Sequence, residues 1–234
     1  VSIVVPTYNE ASNIGPLLKS LAAAMRGERY EIIVVDDGSP DGTGAIVDGL
    51  AGSYPLRVLH RGGRRGLASA LLDGFGAAKG ELLACMDADL SHPPEVIPRL
   101  VAALQEERID IAIASRLVPG GGVMGSWPQY RRLNSYVATL LASSLTGVKD
   151  SMSGCFALKR GVIEGIPLVP RGYKLLLEIL VRGNYREAKE VPFIFDNRCH
   201  GESKLTARVK LDYLIQVCRL HRDRFALGRR RGRG

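Results

Sequence analysis

Two carboxylates one residue apart, Asp87 and Asp89, follow directly on the apolar run LLACM in the stretch CMDADLSHPPE, residues 85–95. A second acidic pair, Asp36 and Asp37, closes the run YEIIVV and opens DDGSPDGT; the first run, VSIVV, gives way to PTYNE, which carries Tyr8 and Glu10. If the backbone stays extended through residues 87–89, side chains i and i+2 project to one side and both carboxylates share one space. Like charges that close repel, and a divalent cation relieves the repulsion. Hard oxygen donors suit Mg2+ or Mn2+, ions that complete their shells with water and substrate phosphates. A local reading competes: Asp89 or Ser91 could cap a helix begun by Pro94, and Asp36 or Asp41 could build a turn. Acids at the ends of two neighbouring runs favour a shared site.

Those runs alternate with helical patterns. VSIVV precedes a helix over about Asn13 to Met25, YEIIVV one over Thr43 to Ala51, LRVLH one over Leu67 to Ala78, and ELLACM one over Pro94 to Gln105, before DIAIAS. This rhythm predicts an α/β fold with a mainly parallel sheet and helices on both faces. The first four runs are almost continuously apolar, as strands covered on both faces are. In such sheets ligands bind at the carboxyl ends of strands, because helices cover the faces. After Arg116 come a glycine-rich loop, VPGGGVMGSWP, a helix over about Arg131 to Leu145, a strand GCFALK, a helix over Tyr173 to Val181 and a strand AKEVPFIF. A last helix, Leu205 to about Phe225, places Leu211, Leu214, Ile215 and Cys218 on one stripe. That stripe is expected to dock on the core, with membrane-interface binding as the sharper alternative.

The 234 residues, 46% hydrophobic and 24% charged, suit a single globular domain. No run reaches the roughly eighteen apolar residues that cross a bilayer, and YVATLLASSLTGV, residues 136–148, reads as a core helix. Four cysteines without Cys-x-x-Cys spacing argue for a reducing compartment and against a zinc site. The net charge of +8 concentrates in the closing RLHRDRFALGRRRGRG, which suits an anionic lipid surface. Nucleic acid is disfavoured as a partner, since aromatic interleaving and any known module are lacking. Val1 already lies inside a strand-like run, so the natural chain is expected to start earlier and to continue past Gly234.

VVPTYNE, VVDDGSPDGT, Asp-Ala-Asp at 87–89, GYKLLLEI and RCHGESKL occur in that order. In these motifs the chain resembles the inverting GT-A glycosyltransferases that load sugars onto polyprenyl phosphates, and among them the dolichyl-phosphate mannosyltransferases. The likeness runs from Val1 to about Leu214, and GESKL at 201–205 is its most discriminating part. It implies one GT-A catalytic domain over residues 1–225, with a nucleotide-sugar half at 1–116, an acceptor half at 117–225, and a basic tail at 226–234. It further implies that Pro6, Tyr8, Glu10 and Asp37 line the nucleotide of GDP-mannose, while Asp87, Ala88 and Asp89 hold nucleotide and a Mg2+ or Mn2+ ion. Ser91 falls where the family commonly has Gln as a further metal ligand, and its shorter hydroxyl would reach the ion through a bridging water. Arg116, Arg131 and Ser135 match acceptor-phosphate positions, Arg198 and Lys204 would close over the diphosphate, and Asp89, Arg116 and Arg131 would carry catalysis. HRGGRRGL, residues 60–67, lacks the Lys-Ser/Thr of a P-loop and the spacing of a dinucleotide site, so it is a strand-to-helix turn of basic character.

The implied acceptor, dolichyl or another polyprenyl phosphate, is largely dianionic near neutrality because its second pKa is about 6. It needs no general base, and attack on the face opposite the leaving group gives a β-mannosyl phosphate. The expected place of work is the cytoplasmic face of a membrane, with an anchoring subunit or a membrane segment outside these residues left open. Two rivals stay in view: a polyprenyl-phosphate glucosyltransferase using UDP-glucose, and a catalytically silent scaffold of a membrane complex.

Overall fold

Strand-forming runs and amphipathic helices alternate through the first half: β1 (Ser2–Thr7), α1 (Ala11–Ala24), β2 (Glu31–Asp36), α2 (Thr43–Leu50), β3 (Leu56–His60), α3 (Leu67–Ala77), β4 (Leu82–Cys85), α4 (Val96–Ala103) and β5 (Ile109–Ser115). The second half adds β6 (Gly122–Val123), β7 (Phe156–Lys159), α5 (Leu175–Arg182), β8 (Glu187–Pro192), β9 (Ile194–Phe195) and α6 (Ala207–Arg231). This computed structural model describes residues 1–63, 66–124, 141–142, 144–169, 174–196 and 207–231, with side chains of α6 described over 211–224. The helix expected over Arg131 to Leu145 lies mostly outside them.

One sheet runs in the order β3-β2-β1-β4-β7-β5-β8. All its pairs are parallel except those of β7, which lies antiparallel between β4 and β5. The second half thus inserts a strand into the first half's sheet. Successive strand residues point to opposite faces. Val4, Ile33, Val35, Leu83 and Cys85 pack with α3 and α5. Ile3, Val5, Ile32, Val34 and Ala84 pack with α1 and α4 on the other face. Both faces are therefore core, as the unbroken apolar runs imply. β3 departs from that expectation: it is the edge strand, only partly buried, and its Arg57 reaches across to Glu31 at 3.2 Å.

Two other elements differ from the sequence reading. The run AKEVPFIF divides at Pro192, after which the chain leaves β5 and β9 pairs with β6 as a separate two-stranded ribbon. The last helix docks by a different face from the one expected. Tyr213, Gln216, Val217 and Leu220 are buried, whereas Leu211, Leu214 and Ile215 are 57%, 47% and 39% exposed and Cys218 is also exposed. Both stripes have helical spacing, so apolar periodicity alone cannot choose between them. Polar partners distinguish the inner one: Gln216 Nε2 donates to the Lys174 carbonyl at 3.1 Å, and Arg219 Nη2 donates to the fully buried Glu178 of α5 at 3.0 Å. α6 also continues to Arg231, through most of the stretch read as a tail. Among the described residues no helix is long and apolar enough to cross a membrane.

The packing of α3 on the sheet has a direct test at Gly74, where a Cβ would collide with Val4 Cγ1 and lie 3.1 Å from Val35 Cγ2. Alanine gains up to about 1 kcal/mol in helix propensity, but overpacking a tight core costs about 1–3 kcal/mol. Gly74→Ala is expected to lower stability by about 1 kcal/mol in urea unfolding; a higher midpoint would show that the helix has room there.

Candidate active site

The sheet grows in two directions from β1, toward β2 and β3 on one side and β4 on the other, which opens a crevice at the carboxyl end between β1 and β4. Met86 N–H donates to the Val4 carbonyl at 3.3 Å, and Asp37 N–H donates to the Thr7 carbonyl at 3.0 Å, so even-numbered residues of β1 turn toward β4 and odd-numbered ones toward β2. Pro6 therefore faces the β4 side, where pairing has already ended at Val4 and Cys85. Its missing N–H costs no ladder bond, and the crevice begins there.

At that crevice, Asp87, Asp89 and His92 each bring one potential ligand atom within 4.8 Å of the others. The convergence has a different origin from the extended one expected. β4 ends at Cys85 and the chain turns at Ala88–Asp89, with Leu90 in the left-handed region at φ 60°. A bulky residue there marks backbone strain of the kind found at functional sites. Ser91 holds Asp89 in the turn, donating to its Oδ1 from the hydroxyl at 2.5 Å and from the backbone N–H at 3.1 Å. Gly154, before β7, gives Asp87 its room: a Cβ there would lie 2.5 Å from Asp87 Oδ2.

His92, 3% exposed, stacks on Phe193 at 5.1 Å and meets Phe195 edge-on at 5.5 Å. Burial pushes its pKa down to about 4 despite nearby Asp89, so the imidazole is neutral at pH 7. Its Nδ1 is buried without a hydrogen-bond partner among the described residues. Two carboxylates and a neutral imidazole with an unsatisfied buried nitrogen fit a divalent cation. The sequence reading passed over His92, although it lies in the same short turn as both acids.

Beyond β7, Arg116 at the end of β5 is held by the fully buried Asp150. Arg116 Nε and Nη2 donate to its two oxygens at 2.8 Å each, and the Arg116 backbone N–H adds a third bond at 3.0 Å. Burial alone would raise the Asp150 carboxyl, but the bonds and charge of Arg116 hold it below the ordinary value. Glu190 of β8 fixes that turn in its place, accepting from the Lys149 and Asp150 N–H groups at 2.9 and 3.0 Å and from Ser115 Oγ at 2.7 Å. The Arg116 guanidinium also sits 5.4 Å from the Phe195 ring centroid. Lys174, from GYKLLLEI, donates to the Met152 carbonyl at 2.6 Å. Burial and the Arg116 charge bring its ammonium down to about 8, against the pull of Asp87 and Asp150. Neither Asp150 nor Lys174 was singled out from sequence; Asp150 lies far along the chain from Arg116, and Lys174 from Asp87.

On the β2 side, the local reading holds for Asp36, which accepts from Ser39 N–H and from the Ser39 and Thr7 hydroxyls, and for Asp41, which accepts from Thr43 at the start of α2. Asp37 instead pairs with the buried Arg61 at 2.9 Å. Tyr8 and Glu10 lie where β1 enters α1, and this junction is tied to the β2 loop by Asn9 N–H on Ser39 Oγ and Glu10 N–H on Thr43 Oγ1. Arg131, Ser135, Arg198 and Lys204 lie outside the described residues.

Comparison with known proteins bears on this geometry. Residues 2–166 match the family described as Glycosyl transferase family 2. A dolichol-phosphate mannosyltransferase of Pyrococcus furiosus is 45% identical over 94% of this chain; the match spans 63% of that protein's length. One of Saccharomyces cerevisiae is 41% identical over 96% of this chain and 88% of its own length. Among solved structures, glucosyl-3-phosphoglycerate synthase of Mycobacterium tuberculosis, in complex with Mn2+, UDP-glucose and phosphoglyceric acid, superposes with a TM-score of 0.70 at 25% identity, covering 95% of this chain and 78% of that one. A mannosyltransferase of Pyrobaculum calidifontis, in complex with GDP-Man and Mn2+, has a TM-score of 0.60 at 23% identity over 86% of this chain and 57% of that one. The family match over residues 2–166, with a relative 41% identical over 88% of its own length, means that the chain belongs to glycosyl transferase family 2 and, within it, to the dolichol-phosphate mannosyltransferases.

Proposed function

We propose that this chain transfers mannose from GDP-mannose to dolichyl phosphate or another polyprenyl phosphate, with inversion, in the presence of Mg2+ or Mn2+. The observation that carries this reading is the meeting of Asp87, Asp89 and His92 just past the end of β4, with Arg116 and Lys174 near enough to act on this cluster through charge. The names of the relatives support the acceptor and the sugar, and the GDP-Man and Mn2+ of the Pyrobaculum neighbour support the donor and the ion.

Asp87, Asp89 and His92 would hold the ion, with Ser91 orienting Asp89. When bound, the ion supplies positive charge against the departing diphosphate. Lys174 adds a cation on the same side, and a diphosphate would in turn favour its protonated form. Arg116, pinned by Asp150, offers the acceptor phosphate a guanidinium already in place, which avoids reorganisation during reaction. Arg131 and Ser135 join it by motif, and Arg198 and Lys204 complete the diphosphate grip. Pro6, Tyr8, Glu10, Asp37 and Ala88 line the nucleotide. A dianionic phosphate oxygen attacks the anomeric carbon from the face opposite the leaving GDP, so no side chain takes a proton.

The lipid acceptor places the reaction at a membrane surface, at its cytoplasmic face in this reading. α6 suits that surface: its outward stripe of Leu211, Leu214 and Ile215 is flanked by Arg222, whose side chain is highly exposed.

Incubation with dolichyl phosphate, Mn2+ or Mg2+, and radiolabelled GDP-mannose or UDP-glucose is expected to place mannose, and not glucose, in the lipid extract. Glucose transfer would instead establish the rival donor, and no transfer with any pair would favour a scaffold. Asp89→Ala should reduce turnover at least about 100-fold and remove metal-dependent GDP binding while leaving the circular dichroism unchanged; persistence of either activity would refute the ion site. Lys174→Met should raise KM for the donor about 10- to 100-fold, the worth of a lost charged hydrogen bond, and an unaltered KM would exclude a diphosphate contact. Leu214→Asp combined with Ile215→Asp should weaken co-sedimentation with anionic vesicles at least about tenfold, since burying each apolar side chain contributes about 1.5–3 kcal/mol. Equal sedimentation of variant and wild type would show that α6 does not meet the lipid.

A further inference from the structure

The acid turn after β4 and the guanidinium after β5 are joined by one short segment, Phe193–Asp196, which leaves β8 and forms β9. At one end the Phe193 N–H donates to the carbonyl of Ser115, the neighbour of Arg116, at 3.1 Å. At the other the Asp196 N–H donates to the carbonyl of Ser91, inside the acid turn, at 3.1 Å. The backbone alone makes these two bonds. The side chains between them make a second connection.

The rings of Phe193 and Phe195, both buried, meet at 67° with centroids 6.3 Å apart and form a corner. His92 occupies it, its plane 21° from that of Phe193 and 84° from that of Phe195. The torsion that turns an imidazole about its Cβ–Cγ bond is soft, and walls on two sides remove that freedom. The ring nitrogens are thereby held in one orientation toward Asp87 and Asp89. Phe195 has another neighbour: Arg116 Cζ lies over its ring, 5.4 Å from the centroid and inside the roughly 6 Å at which a ring face attracts a cation. Asp150 holds that guanidinium along one edge, through Nε and Nη2. Two bonds along an edge still let the plane tilt about it, and the ring limits the tilt. Leucine would fill much of the same volume, but it has no face for the cation and no flat wall for the imidazole.

We propose that Phe195 is a positioning residue shared by both halves of the site, setting His92 for the divalent cation and Arg116 for the acceptor phosphate through one ring. Ordering a shared group for one ligand leaves less to order for the other, so the two ligands bind with positive cooperativity. Linkage makes the effect equal in both directions. This role rests on the proposed reaction and adds to it a coupling between cation and acceptor.

Binding of Mn2+ and of a short, water-soluble isoprenyl monophosphate to the full chain, with no sugar donor present, tests it. Calorimetry gives the affinity for the phosphate with and without saturating Mn2+. The paramagnetic resonance of free Mn2+ gives the affinity for the ion with and without the phosphate, after subtraction of the pairing that the two show in buffer. In wild type each ligand should tighten the other at least about fivefold, the lower end of coupling between sites. Phe195→Leu should lose most of that gain, and Phe195→Tyr, which keeps the ring, should retain it. The gain separates positioning from other effects: direct attraction between cation and phosphate persists in both variants, and a loosened fold weakens each ligand whether or not the other is present. A wild-type gain near one, a gain equal in wild type and the leucine variant, or its loss in the tyrosine variant overturns the proposal. Phe195→Met repeats the comparison if the leucine variant does not fold. If wild type binds Mn2+ but no isoprenyl phosphate, the acceptor assignment itself fails and this role falls with it.

Discussion

Two carboxylates brought together at the end of a buried strand cannot remain there with their charge unopposed, and that constraint organises the crevice around them. Asp87 and Asp89 sit at the carboxyl end of β4, where helices screen both faces and water reaches only the strand ends. The surroundings answer the repulsion with positive charge rather than by letting the acids separate. Lys174 is buried close enough to Asp87 for the carboxylate to raise its affinity for a proton, and Arg116 stands beside it. His92, neutral and packed against two phenylalanines, adds a lone pair rather than another charge. An ion in the proposed site would complete a balance that these residues leave open to a polyanionic ligand.

The cations near the acids are themselves anchored, Arg116 by the buried Asp150 carboxylate and Lys174 by the Met152 carbonyl. Asp150 grips Arg116 with three hydrogen bonds, and Glu190 grips the Asp150 turn from the next strand. On the opposite flank the order is reversed, with the buried Arg61 gripping the carboxylate Asp37. Groups oriented before the ligand arrives lose little on binding, so affinity and rate go into the ligand rather than into ordering the protein. The same economy explains why positions far apart in the chain, such as 37 and 61 or 116 and 150, are coupled through charge.

Much of this was legible in the residues. The apolar runs gave β1, β2, β4 and β5 with their intervening helices, because a strand covered on both faces leaves an unmistakable pattern, and the rule that ligands sit at strand ends led directly to Asp87 and Asp89. What periodicity could not supply was direction. The acids converge through a turn with Leu90 in the left-handed region, not through the pleat of an extended strand. Pro192 splits one apolar run between two sheets, which hydrophobicity does not register. Asp150 and Lys174 read as ordinary charged residues because their partners are brought to them only by β7 and α5. The motif resemblance ran further than the physics at Arg131, Ser135, Arg198 and Lys204, whose roles rest on motif alone.

The last helix shows most sharply how a correct pattern can conceal a choice. α6 carries two apolar stripes of equal period, and the one richer in leucine and isoleucine faces outward. The inward stripe wins because it alone brings Gln216 to the Lys174 carbonyl and Arg219 to Glu178, a carboxylate that α5 buries completely and that would be intolerable there without cations. Arg182 of α5 reaches back to Asp223, so the two helices are clamped by charge as well as by packing. Lys174, whose ammonium faces the acids, is the residue immediately before α5. The exposed stripe of Leu211, Leu214 and Ile215 and the cation Lys174 thus belong to one clamped helix pair. In the proposed reaction, that lets a helix lying on a bilayer hold the residues around Lys174 at a fixed height above the headgroups.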